Sequence, residues 1–355
     1  MNFSIDRCRR RPNSRRLLIY LDTSTFGKLA NGDEGSGDLG SALGRALDQQ
    51  QAVCVGAPWH DDEVALLRVG PTLDLIVKTI RAYTLDVRMR FDQELIDREL
   101  FAAAKQFSGE APTITWREAF RKDPDNPPLK PFQAEYLNSL HRFEQPAAPL
   151  DEVSHDRATS SSLTEVHVEL RGAGLNWEEV AAANVDKQVE YLLGPLADPG
   201  FTAVAGARQQ QLVEAWMEGG ADMDAGSPTR KYLRFMHVAS TATNLRDQYP
   251  AIAADPSGFC ASDEVRSLPT IGLFSFLLAA LSVDGRRTKP QPSDLHDLWH
   301  LTYGLSRCDI VTADKRSCEL VRRRNLVPSG VILLEAHRLS EIADAVVESL
   351  PAAEQ

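Results

Sequence analysis

Several acidic residues occupy positions where a carboxylate can do more than solvate a surface. "LLIYLDTSTF", Leu17 to Phe26, is an apolar run that ends in Asp22 followed by Thr23, Ser24 and Thr25. Burying a lone charge costs several kcal/mol or shifts its pKa until it neutralises. An Asp there either caps the next helix or joins a cluster whose other members come from elsewhere in the chain. The candidates for that cluster are Glu63 in "PWHDDEVALLR", Asp294 and Asp297 in "PSDLHDLWH", and Asp314 in "CDIVTADK". Taken singly, each has an ordinary explanation. A first-turn Glu suits a helix dipole, and Asp forms turns. Crowded together, four carboxylates repel unless a multivalent cation neutralises them. Oxygen ligands without thiolates or several imidazoles suit Mg²⁺ or Mn²⁺ rather than zinc.

The elements that must position these residues follow from the apolar patterning. Leu17–Leu21 and "AVCVGA" from Ala52 read as buried strands, and "LGSALGRALDQQ" between them as a helix. Pro58 opens a second helix with acids in its first turn. Strand, helix, strand, helix is the pattern of a parallel sheet covered on both faces. From about Pro71 to Asp284 the chain offers helical periodicity and polar breaks but few strands. "LDLIVKTIRAYTL", "FDQELIDRELFAAAKQF" and "PGFTAVAGARQQQLVEAWMEGG" read as helices. "DPDNPPLKP" and "EQPAAPLDE" read as breaks, and "ATSSSLTEVHVELR" as a loop feeding a capped helix. The alternating pattern then returns: "QPSDLHDLWHLTYGLSR" as helix, "CDIVTAD" as strand, "KRSCELVRRRN" as helix and "GVILL" as strand. The expected organisation is a basic arm over 1–16, a discontinuous α/β core over 17–70 and 285–340, a helical insertion over 71–284, and a C-terminal helix or tail over 341–355. Ligands of open parallel sheets bind beyond the carboxyl ends of the strands, which is where Asp22 and Asp314 fall.

"YLDTSTF", "PWHDDEVALL" and "SDLHDLWHLTYGLSRCDIVTADK" resemble the three acidic motifs of the PIN-like nuclease superfamily. The resemblance covers roughly Leu17–Arg68 and Asp284–Leu334, and the long helical insertion departs from the compact forms. It implies a PIN-like parallel sheet flanked by helices. It also implies a metal-dependent ribonuclease in which Asp22, Glu63, Asp297 and Asp314 are the catalytic acids and ligands of Mg²⁺ or Mn²⁺. Asp297 matches the usual distance to Asp314 better than Asp294, which would assist. Thr23, Ser24 and Thr312 would orient the carboxylates or a phosphate oxygen. Lys315 would offer positive charge, and His300 would support the site one helical turn after Asp297. Members of the superfamily act on RNA as toxins, processing enzymes or defence effectors. The implied substrate is therefore tRNA or another structured RNA, with an inhibitor or partner protein and an oligomer as further expectations.

Composition bounds the alternatives. The 355-residue chain has 43% hydrophobic and 25% charged residues, as soluble globular proteins do, and its net charge of −11 disfavours a general nucleic-acid coat while allowing a local basic groove. Five scattered cysteines without C-x-x-C spacing suggest neither a disulfide framework nor a zinc knuckle, so a reducing, cytoplasmic setting is expected. The apolar stretch from Leu268 falls short of the ~20 residues a bilayer needs and reads as a buried helix. Two other functions fit the same motifs: a PIN-like module that binds RNA or protein without cutting, and a flap-type DNA nuclease. A third rests on Arg230 and His237, an R-x6-H spacing found in helical ribonucleases, which would work without metal.

Overall fold

The computed structural model describes residues 16–57, 60, 63–64, 71–84, 87–90, 92–110, 120, 176–197, 228–283 and 292–350. The basic arm before Arg16, both breaks, the loop from Ala158 and the helix expected from Pro199 lie outside the described residues. In chain order the sheet begins with β1 (Leu17–Tyr20), followed by helices α1 (Thr23–Asn31) and α2 (Ser36–Asp48) and strand β2 (Ala52–Cys54). Helices α3 (Pro71–Thr84), α4 (Asp92–Phe107), α5 (Trp177–Ala197) and α6 (Pro228–Gln248) follow. Three short helical segments lead to a π-helical turn at Pro269–Leu273, which continues into α7 (Phe274–Ser282). The chain closes with α8 (Pro292–Arg307), β3 (Ile310–Ala313), α9 (Lys315–Arg323), β4 (Ile332–Glu335) and α10 (Leu339–Ser349). Among the described residues no helix is long and apolar enough to cross a membrane.

These residues fall into two compact units. One comprises 96–110 with 176–283 and 292–295, and is helical. Within it α5 packs against α7 and α6. Its buried Glu99 accepts hydrogen bonds from the Thr270 N–H and hydroxyl, at 3.2 and 2.6 Å, and so caps the π-helical turn.

The other unit, 16–95 with 120 and 296–350, holds a four-stranded parallel sheet in the order β2-β1-β3-β4. Such a sheet is buried on both faces, and β1, β2 and β3 are buried throughout. Strand alternation divides β1 between two faces. Leu17, Ile19 and Leu21 join the core formed with Leu39, Leu43, Ile80, Ile342 and Val346. The opposite face carries Leu18 and Tyr20, and Tyr20 meets α8. Helix α3 packs on α1, and α10 on α2, so both belong to the α/β unit rather than to an insertion or a tail. Their apolar stripes are what cover the sheet. The register is anchored by Asp309, whose carboxylate accepts the Leu18 N–H at 2.8 Å while its own N–H donates to Leu18 O at 2.8 Å.

In the order 2-1-3-4 the connections leave β1 and β3 in opposite directions, so a crevice opens between their carboxyl ends. Helix α8 lies directly across the two strands at Gly304. A Cβ there would stand 2.9 Å from Val311 Cγ1 and 3.2 Å from Tyr20 Cδ1. Gly304→Val should therefore destabilise the chain by about 2–3 kcal/mol through overpacking, read as a lower urea midpoint with unchanged slope.

Candidate metal centre

Asp22 and Asp314 occupy the two lips of that crevice, one residue after Leu21 and one after the end of β3. Both cap helices, as a strand-end Asp often does. Asp22 begins α1, its Oδ2 accepting from the Ser24 N–H at 3.2 Å and from the Ser24 hydroxyl. Asp314 begins α9, its Oδ1 accepting from Arg316 N at 2.7 Å and Ser317 N at 3.1 Å. Each cap uses one oxygen. Asp22 Oδ1 and Asp314 Oδ2 receive no hydrogen bond among the described residues, so capping does not compete with a second role. The Asp22 backbone is tied across the crevice, because its N–H donates to Thr312 Oγ1 at 2.8 Å and that hydroxyl also pairs with Thr25 Oγ1 at 2.9 Å.

Glu63 lies in the helical backbone after β2, and α8 brings His300 to it. The His300 Nε2 stands 3.3 Å from Glu63 Oε1, and the Nδ1 is hydrogen-bonded to the Tyr20 hydroxyl. One ligand atom each from Asp22, Glu63 and His300 lie within 4.8 Å of one another, the sole such group among the described residues. Two carboxylates and an imidazole form a donor set that fits a divalent cation. Asp297 and Asp314 are not part of that tight group. Asp297 nevertheless acts on the group, helping to lift His300, and Asp314 in turn pushes up the Asp297 carboxyl. The expected quartet of carboxylates thus becomes a triad containing His300, with Asp297 and Asp314 alongside. Asp294 is buried, three residues before Asp297 on α8, and falls with the helical unit.

The charges in the cluster are strongly interdependent. Burial, then Asp314 and Asp22, raise the Asp297 carboxyl to about 8. Burial also raises Asp22, opposed by His300 and reinforced by Glu63. Burial pushes Glu63 upward too, but the charge of His300, 3.3 Å away, outweighs it and holds Glu63 at about 2. His300 would be lowered by burial, yet Glu63, Asp22 and Asp297 lift it to about 8. The site therefore gathers more carboxyls than its one imidazole can pair with, and protons rather than partners relieve the excess. Ser24 hydrogen-bonds the Asp22 carboxylate, Thr312 holds the Asp22 backbone, and the Thr23 hydroxyl is buried beside them. Lys315 follows Asp314 as the first residue of α9.

Two residues of the site were not legible as such. In the sequence Tyr20 is one more residue of a buried strand, set apart only by a phenol in an otherwise aliphatic run. His60 is fully buried and structurally committed. Its Nδ1 accepts the Ala57 N–H at 3.0 Å and its Nε2–H donates to Leu21 O at 2.8 Å. Its ring stacks on Tyr20 at 5.2 Å and lies 5.2 Å from His300. Burial lowers its pKa to about 3, so it stays neutral and packs the floor beneath the acids. The remaining candidate, His237, pairs with Asp97, Nε2 to Oδ2 at 2.7 Å, in the helical unit, and the Arg230 side chain lies outside the described residues. Comparison with family models, curated proteins and solved structures returns no match.

Two outcomes follow. Asp297 titrates near 3.8 ordinarily and about 8 here, and His300 moves from 6.5 to about 8. The folded state thus holds protons that the unfolded chain has released, and stability should fall as pH rises from about 6.5 to 8. Glu63 acts oppositely, but only below its ordinary 4.5. Metal-free melting temperatures should therefore drop between pH 6.5 and 8.5, and an added divalent cation should reduce that drop. Separately, Thr312→Val leaves the Asp22 N–H without its acceptor and should cost about 1–3 kcal/mol in urea unfolding.

Proposed function

We propose that the chain is a metal-dependent ribonuclease with a PIN-like α/β core, hydrolysing RNA phosphodiester bonds at the crevice between β1 and β3. The observation that carries this reading is the convergence of acids from four separate segments on one sheet edge: Asp22, Glu63, Asp297 and Asp314. The order of the motifs along the chain, which resembles the PIN-like superfamily, supports the choice of nuclease among metal-dependent hydrolases. RNA as the substrate rests on that resemblance.

In this reading a bound Mg²⁺ or Mn²⁺ supplies an activated water and positive charge for the scissile phosphate. Asp22 and Glu63 would hold the ion, with Asp314 adding negative charge at the other lip of the crevice. The water would give up a proton as its oxygen bonds to phosphorus, the P–O ester bond would break in line, and the departing oxygen would take up a proton, leaving no net change in protons. Asp297, its carboxyl pushed up to about 8 by burial and by Asp314 and Asp22, would be the proton donor to that oxygen. The N-termini of α1 and α9 both open onto this edge, and their N–H groups favour an anionic group there. Ser24 and Thr312 keep Asp22 in place through the contacts described above.

Incubating the purified chain with a mixed RNA pool, tRNA and flap DNA in Mn²⁺ tests the reading. Cleavage of RNA, abolished by chelator and reduced at least about 100-fold in Asp22→Asn and Asp314→Asn with folding intact, is the expected result. RNA binding without cleavage would instead make the chain a binding module. Cleavage confined to flap DNA would change the substrate. Cleavage that persists in chelator would move the chemistry to Arg230 and His237.

A further inference from the structure

Resting on the metal centre proposed above, we infer that His300 Nε2 is itself a ligand and that Tyr20 is the residue that positions it, making this a mixed nitrogen–oxygen centre for a divalent transition ion rather than an all-oxygen Mg²⁺ site. The sequence pattern pointed to carboxylates alone. The geometry places an imidazole among them instead.

Three observations carry the inference. The first is tautomer control. A histidine that binds a metal through one nitrogen has its other nitrogen fixed by a hydrogen-bond partner. His300 Nδ1 is hydrogen-bonded to the Tyr20 hydroxyl, and both side chains are buried. With the Nδ1 proton donated to Tyr20 Oη, the proton an incoming ion displaces is the one on Nε2, and the lone pair so freed faces Asp22 and Glu63.

The second is the distance between the groups. His300 Nε2 and Glu63 Oε1 are 3.3 Å apart. A charge-assisted hydrogen bond between such groups runs about 2.7–2.9 Å. Two ligands each about 2.1 Å from one ion, at angles between octahedral and tetrahedral, lie roughly 3.0–3.4 Å apart. The observed spacing fits shared ligation better than a direct ion pair.

The third is that the neighbouring imidazole is unavailable. His60 lies beside His300 but has both nitrogens engaged, one with the Ala57 N–H and one with Leu21 O. His60 also supports the ring of Tyr20 by stacking. Imidazole is a poor partner for Mg²⁺ and a good one for later first-row ions, whose affinities rise from Mn²⁺ to Co²⁺.

The test uses the full chain with Mn²⁺ as the probe, followed by electron paramagnetic resonance. Titration measures binding, and pulsed measurements detect nitrogen coupled to the bound ion. Expected are a bound Mn²⁺ with coupling from one histidine nitrogen, shifted when histidine is ¹⁵N-labelled, and a preference for Mn²⁺ over Mg²⁺ of at least about tenfold. His300→Gln should remove the coupling. Tyr20→Phe should weaken Mn²⁺ about 10–100-fold and lower the preference over Mg²⁺, whereas general damage to the site would weaken both ions alike. The labelled wild type keeps the test decisive if either variant fails to fold. Bound Mn²⁺ without nitrogen coupling would overturn this inference and leave an oxygen-ligated centre standing. Failure to bind Mn²⁺ at millimolar concentration would overturn the metal centre along with it.

Discussion

The parallel pairing of β1 with β3 is the constraint on which the candidate site depends. Ile19 pairs with Ile310 and Tyr20 with Val311, so the next residues on each strand arrive together at the same edge. The Asp22 N–H then finds the Thr312 hydroxyl, and Asp314 starts its helix a short distance along. The aspartate at 309 guards the other end of the same pairing by exchanging hydrogen bonds with Leu18. A slip of one residue would turn every side chain of β1 to the opposite face. Tyr20 would leave α8, and the aliphatic set of Leu17, Ile19 and Leu21 would leave its core. The hydrophobic faces and the acidic edge are therefore specified by one register.

On that frame the cluster gathers like charges at a cost that the surrounding structure absorbs. Strand-to-helix turns supply Asp22 and Asp314 with cap hydrogen bonds to one oxygen each, worth about 1 kcal/mol apiece in ordinary helices. Those caps hold the carboxylates at the edge whatever else binds there. The remaining repulsion appears in the protonation of the acids. Asp297 retains a proton far above the usual carboxylate range, while Glu63 loses its own easily because it faces His300. Neighbouring carboxyls shifted in opposite directions are a common feature of reactive sites. They also occur in structural ion networks, so the geometry at the switch point matters more than the shifts themselves.

The packing beneath the acids is built from rings. His60, Tyr20, Phe26 and His300 lie against one another, with His60 edge-on to Phe26 and stacked on Tyr20. Hydrogen bonds at both nitrogens immobilise His60, so it serves as a rigid, neutral filler with a polar rim. On the far side of Gly304, Trp299, Tyr303 and Arg307 stack along α8 at successive turns. Those three residues brace the helix internally, while the contacts of His300 with Tyr20 and His60 and the close approach at Gly304 tie α8 to the sheet.

The local sequence was enough to identify the strands, the helices flanking them and the acids at the strand ends, because period, turn chemistry and helix caps are written within a few neighbouring residues. It also offered Asp22, Glu63, Asp297 and Asp314 as one candidate set through their order along the chain, whereas the fold sets Asp22 and Glu63 tightly with His300. Where the α/β unit ended was less legible: α3 and α10 look like any amphipathic helix until their stripes meet α1 and α2. The roles of Tyr20 and His300 were decided only by the fold. An aromatic in an apolar strand and a histidine on a helix gain chemical meaning from the face they present, and residues 280 positions apart acquired a shared hydrogen bond only when α8 crossed the sheet. Charge interactions work through space, so the tertiary structure alone determined which carboxyl keeps its proton and which atoms stand close enough to share an ion.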